Sequence, residues 1–76
     1  MNRQLLLQQA LNQMKIKQCE YARIIKVDPS AVSHWMRGTE YFRDERIFQL
    51  KYFCDKNIGL VESNKLFAPI LREIEG

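Results

Sequence analysis

Between Asn2 and Lys15 the apolar residues fall on one side of a helix: Leu7, Leu11 and Met14 recur at i, i+4 and i+7, with Ala10 beside them. That spacing predicts a helix over residues 2–15. Leu5 and Leu6 widen its apolar side, glutamines occupy the rest, and Ile16 is placed to plug the core in the link that follows. From Gln18 a second pattern begins. Tyr21, Ala22 and Ile25 lie within an arc of roughly 80° on a helix turning about 100° per residue, while Cys19, Glu20 and Arg23 face away. The pattern breaks at Val27-Asp28-Pro29-Ser30. Asp28 is a good N-cap because its carboxylate can accept from the free amides of a first turn, and Pro29 suits the first helical position because its missing N–H needs no partner there. A third helix is therefore expected over residues 29–37. Val32, Trp35 and Met36 converge on one side of it, and Ser30, Ser33, His34 and Arg37 on the other. Gly38, which takes a left-handed conformation at no steric cost, ends it.

A fourth helix is predicted from Asp44, as N-cap, to about Asp55. Ile47, Leu50 and Cys54 form its inward stripe with Phe53 at the border, and Phe48 and Tyr52 make a second apolar strip. Two apolar faces imply two neighbours, one being the 18–38 stretch and the other either the C-terminal segment or a second subunit. Asn57-Ile58-Gly59 reads as a loop. Leu60, Val61, Leu66, Phe67, Ile70, Leu71 and Ile74 then supply another amphipathic segment, interrupted by Pro69, whose ring clashes with the carbonyl of Lys65 in a continuous helix. Two pieces near 61–67 and 69–75, or a kink at 65–69, are expected. The pattern as a whole predicts an all-α fold of about five short helices in one domain spanning residues 1–76.

The stretch Gln18–Gly38 (QCEYARIIKVDPSAVSHWMRG) resembles the helix-turn-helix of the phage lambda repressor and Cro superfamily, also called the XRE-like family. Gln18 opens the first helix of that motif, and Ala22 is the small residue where the two helices cross. Tyr21, Ile25, Val27, Val32 and Trp35 match its buried places, and Gly38 matches the glycine that closes its recognition helix. One position departs. Lys26 stands where the turn usually carries glycine, and a side chain in the left-handed region costs roughly 1 kcal/mol. In the loop TEYFR, Phe42 falls where the family often packs a proline and is expected to be buried, leaving Tyr41 able to touch a sugar or phosphate. The fifth helix of the family often forms the dimer contact, so residues 60–75 are a candidate for that role as well as for simple closure of the monomer core.

Composition agrees with a small folded domain: 46% of residues are hydrophobic and 28% charged. At 76 residues a single core barely outweighs chain entropy, so dimerisation is a natural source of stability and no separate ligand-sensing domain is expected. The net charge of +3 matters mainly through its placement. Residues 1–46 hold eight Lys and Arg against five acids, whereas the remainder is balanced four to four. The excess positive charge therefore travels with the 18–38 half, as a polyanion-binding surface requires. Cys19 and Cys54 lack metal-ligand spacing, so no zinc is expected and both read as free thiols. With an opening apolar run of only three leucines and no span-length segment, the reading is cytoplasmic, nucleoid-associated and without membrane attachment.

The resemblance implies a site. A DNA major groove about 12 Å wide admits one helix. In the family, residues just inside the start of the recognition helix and one turn later reach base edges, which here are Pro29, Ser30, Ser33 and His34. Ser30 can donate or accept, and His34 can donate to a guanine or a phosphate; neither is bidentate, so part of the specificity is expected from DNA shape. Gln18 would clamp a phosphate with Lys17 beside it, and Arg37 and Arg43 would hold phosphates on the other side. Asp28, which DNA repels, is explained by capping, with contact to a cytosine amino group as the sharper alternative. His34 has no carboxylate at a partner spacing and there is no glycine-rich phosphate loop, so neither an enzyme nor a cofactor or small-molecule ligand is expected. The function implied is a Cro- or repressor-like transcriptional regulator of a phage, prophage or plasmid, binding an inverted-repeat operator in double-stranded DNA as a homodimer. An antitoxin-like or anti-repressor module that holds a protein partner is the alternative, and an ordinary helical hairpin with solvated Ser, His and Arg would share the spacing. Outward Ser, His and Arg favour DNA, where Trp, Phe and Leu would favour protein.

Overall fold

A computed structural model describes residues 2–75, and every regular element in them is helical. The order is α1 (Arg3–Met14), α2 (Gln18–Ile24), α3 (Pro29–Arg37), α4 (Asp44–Ile58) and α5 (Leu60–Glu75). Asn2 caps α1, its side-chain oxygen accepting from the amides of Gln4 at 2.8 Å and Leu5 at 3.4 Å. Asp28 caps α3 through the amide of Ser30 at 2.9 Å, with Pro29 in the first turn. Both starts follow from residues whose short polar side chains satisfy amides that the helix leaves free.

The first three helices end in one way. After each, a residue with positive φ turns the chain back: Lys15 at 58°, Lys26 at 59° and Gly38 at 77°. In each case the amide of the following residue reaches five positions back, Ile16 to Leu11 at 3.2 Å, Val27 to Ala22 at 3.0 Å and Thr39 to His34 at 3.1 Å. These are Schellman closures, and they satisfy carbonyls the helix ends would otherwise orphan. The left-handed turn expected at Lys26 is present, as is the short link that lets α2 pack against α3.

One core unites the helices. Leu6, Leu7, Ala10, Tyr21, Ala22, Val32, Ile47, Leu50, Cys54, Phe67 and Ile70 are all essentially inaccessible, and Trp35 and Phe42 meet as a tilted pair, 5.2 Å between ring centroids and 53° between planes. Val27 and Ile16 are half-buried and pack on its margin. Burial of Cys54 pushes its thiol up to about 11, and burial, aided by the neighbouring Cys54, raises Tyr21 as well. On the α4–α5 side, Lys51 donates to Asp55 at 2.8 Å and to the buried hydroxyl of Ser63 at 3.5 Å, and the Lys51 hydrogen bond lowers the Asp55 carboxyl.

The expected start and end of α4 are corrected. Arg43, not Asp44, is the N-cap residue of α4; Asp44 sits in the first turn, drawn to Arg3 by a 2.8 Å ion pair. Helix α4 continues past Asp55 to Ile58, which is half-buried against the core, so the loop shrinks to Gly59 alone. That residue adopts φ 87° and ψ 157°, a region open essentially to glycine. Of the two outcomes expected for residues 60–75, separate pieces or a kink at 65–69, the first is excluded: α5 is one helix with Pro69 inside it. Pro69 is exposed while Leu66, Phe67 and Ile70 beside it are buried, so the lost hydrogen bond falls on the solvent side and the apolar face outweighs it. Of the two neighbours expected for the second strip of α4, α5 is not the one that covers it within the chain: α5 enters the core beside Ile47, Leu50 and Cys54, leaving Phe48 and Tyr52 47% and 56% exposed.

Candidate nucleic-acid interface

Helix α3 divides by burial as its sequence divides by polarity. Val32 and Trp35 are buried and Met36 is half-buried, fixing the rotation of the helix. Ser30 and Arg37 are exposed, and Ser33 and His34 are half-exposed on the same outward arc. Pro29, in the first turn, is exposed as well.

The hydroxyl of Ser30 donates to Asp28 at 2.9 Å, beside the amide bond that makes Asp28 a cap. These two hydrogen bonds, the backbone one first, hold the Asp28 carboxyl below its ordinary range. Asp28 is thus explained by capping, and Ser30, its proton committed, offers lone pairs outward. His34 is tied at the other end: its Nδ1 lies 2.8 Å from the hydroxyl of Thr39.

Beside the outward arc, an open groove of about 840 Å³ runs between α1, the start of α2 and the end of α3, lined in part by Asn12, Ile16, Lys17, Gln18, Cys19 and Arg37. It brings together three residues expected to hold phosphates, Lys17, Gln18 and Arg37. Arg43 does not line it; it stands exposed at the start of α4. Glu20 is a feature of this edge that sequence reasoning did not weigh. Its carboxylate accepts from the amide of Lys17 at 3.2 Å and so places one negative charge at the opening of α2. Thr39 is the other residue missed, although its place directly after the helix-closing Gly38 was a readable signal.

The basic residues of the first half separate into two sets. Arg3 is consumed by the fold, donating to the carbonyl of Phe42 at 2.8 Å, pairing with Asp44 and lying over the Tyr41 ring at 4.8 Å. Arg46 donates to Gln49 and covers the Trp35 ring at 5.3 Å. Lys15, Lys17, Arg23, Lys26, Arg37 and Arg43 are exposed and enter no ion pair among the described residues. Tyr41, 65% exposed, carries Arg3 on its ring. No helix of the described chain is long and apolar enough to cross a membrane. Compared with protein-family models, with curated proteins and with solved structures, the chain matches none of them.

Proposed function

We propose that the protein is a sequence-specific double-stranded DNA-binding transcriptional regulator with a lambda repressor-like helix-turn-helix fold. The observation that carries this reading is the partition of α3: a buried apolar back, an outward arc of Ser30, Ser33, His34 and Arg37, and an adjoining groove where Lys17 and Gln18 meet Arg37. A short helix of that form fits a major groove, with its small polar groups towards base edges and cations towards the flanking phosphates. The six exposed cations of the first half that enter no ion pair among the described residues lie between residues 15 and 43, on and around this unit, against two such cations, Lys56 and Arg72, in the remainder.

A homodimer is part of the proposal. The Cα trace measures 29 Å along its longest axis, whereas successive major grooves on one DNA face are about 34 Å apart, so one copy does not present reading helices to both. Phe48 and Tyr52, exposed on one strip of α4, are the surface proposed for the contact.

The test is a gel shift and fluorescence titration with random and genomic duplexes at two salt concentrations. Binding that weakens with salt and retains a preference for particular duplexes is the expected result. Absence of any duplex binding would replace this reading by that of a protein-interaction module, antitoxin-like or anti-repressor, and a monomer both free and on DNA would remove the dimer.

A further inference from the structure

The Schellman closure of α3 does more than end the helix. It sets Thr39 over His34, four positions before the helix-closing Gly38, with the Thr39 amide on the His34 carbonyl at 3.1 Å. The Thr39 hydroxyl then touches two atoms of that same histidine, the carbonyl oxygen at 3.3 Å and ring Nδ1 at 2.8 Å. A hydroxyl has a single proton. The carbonyl can only accept, so both contacts are hydrogen bonds together only when Thr39 donates to the carbonyl and accepts from an Nδ1–H. In the neutral ring the other nitrogen, Nε2, is then a bare acceptor.

We propose that Thr39 is a positioning residue that holds His34 in the Nδ1–H tautomer, so that α3 presents an acceptor to DNA and selects an exocyclic amino group, adenine N6 or cytosine N4, in the major groove. The proposal rests on the reading of α3 as the DNA-reading helix. It reverses the donor role that His34 has by its residue type alone, towards guanine O6 or N7. Ser30 agrees with it: its proton is spent on Asp28, so the first turn of α3 also offers acceptor lone pairs. At the two positions that accept, Ser30 and His34, the matching base edges are those that donate, and in the major groove only the amino groups do so.

Two measurements separate this inference from the reading beneath it. The first needs no DNA: a long-range proton–nitrogen correlation spectrum of the free protein at pH 8.5, recorded on the neutral ring. The Nδ1–H tautomer is expected in the native protein and in Thr39→Ser, with loss of that preference in Thr39→Val, where the hydroxyl is gone but the exposed site keeps its shape. A predominant Nε2–H tautomer in the native protein overturns the proposal.

The second uses a duplex selected from a random pool, at the base pair whose preference disappears in His34→Ala. Deleting the amino group there, with purine for adenine or 2-pyrimidinone for cytosine, is expected to weaken binding by roughly 5-fold or more, as a lost base contact does. The two substitutions tell the two base sources apart. Replacing the purine by its 7-deaza analogue is expected to leave binding unchanged; sensitivity to the 7-deaza base with indifference to the amino group overturns the proposal. If no duplex is selected at all, the acceptor role falls together with the DNA reading, and the tautomer spectrum still reports whether Thr39 sets the ring.

Discussion

The side-chain amide of Gln4, in the first turn of α1, lies over the Cα of Gly38 at the end of α3, filling the space a β-carbon would need. Gly38 is thus required twice, by its φ of 77° and by the close approach of α1. The two demands are separable, because the amide is the far end of a flexible side chain and can move, whereas the backbone conformation cannot. Gly38→Ala is expected to cost about 1–2 kcal/mol. Most of that loss should persist in a Gln4→Ala background, measured by denaturant unfolding; full rescue by Gln4→Ala would assign the cost to the collision instead.

At the two other left-handed positions the chain carries lysine, so strain is already present. Lys26→Gly and Lys15→Gly should each raise stability by about 0.5–1 kcal/mol, the relief of the left-handed side chain less the extra freedom glycine has in the unfolded chain. For a domain of this size that is a rise of roughly 2–8 °C in Tm. An unchanged or lower Tm would mean that the lysine side chains make compensating contacts.

These turns also mark how far the sequence could be read. Helix starts were legible at Asp28-Pro29 because capping is chemistry within a few residues, whereas the left-handed turn at Lys26 was legible only through the resemblance, which implies a glycine-like turn there. The continuity of α5 was legible only as one of two outcomes, a kink at 65–69 beside a break into two pieces. Proline has a strong local penalty, and only the burial of Leu66, Phe67 and Ile70 against other helices outweighs it. Ile58 likewise extends α4 because it finds the core, which a local loop signal in Asn57-Ile58-Gly59 does not foresee. Within the site, the polar arc of α3 followed from periodicity, but the separation of Arg3 from Arg37 required tertiary structure. Both are arginines in a basic half, and only the fold ties one to Asp44.

Ala22, the residue at which the resemblance puts the crossing of α2 and α3, is fully buried, and the two helices pack against each other. Ala22→Leu should cost roughly 1–3 kcal/mol by overpacking, read as a lower Tm. A variant as stable as the parent would mean that the two helices separate without loss at that point.

The two thiols should behave differently. Cys19 is exposed and Cys54 is buried, with its thiol pushed up to about 11 from 9.0, chiefly by burial. A thiol reagent at pH 8 should modify one cysteine in the native protein and both after unfolding; modification of both in the native state would contradict the burial of Cys54. Because the folded state holds the Cys54 proton more tightly than the unfolded chain does, stability is unaffected by this group below pH 9 and falls as pH rises from there through about 11. Cys54→Ala should show a shallower decline over that window, from a lower starting stability.

The contrast between Arg3 and Arg37 tests whether the charge left over by the fold is the charge that meets DNA. Arg3 is bound to Asp44 and to the Phe42 carbonyl, so Arg3→Ala should lower Tm by disconnecting α1 from the start of α4, and leave the salt dependence of DNA binding nearly unchanged. Arg37 and Lys17 line the groove beside α3 without an ion pair among the described residues. Arg37→Ala and Lys17→Ala should leave Tm in place, weaken selected and random duplexes alike, and each reduce the slope of log affinity against log salt by about one unit. Replacing Ser33 and His34 together should do the reverse, narrowing the gap between selected and random duplexes by roughly 1–3 kcal/mol while the slope stays where it was. A slope that falls with Arg3→Ala but not with Arg37→Ala would move the phosphate-binding surface away from the groove at α3. If Ser33 and His34 could be lost without any change in duplex preference, base reading would have to be placed on another part of the chain.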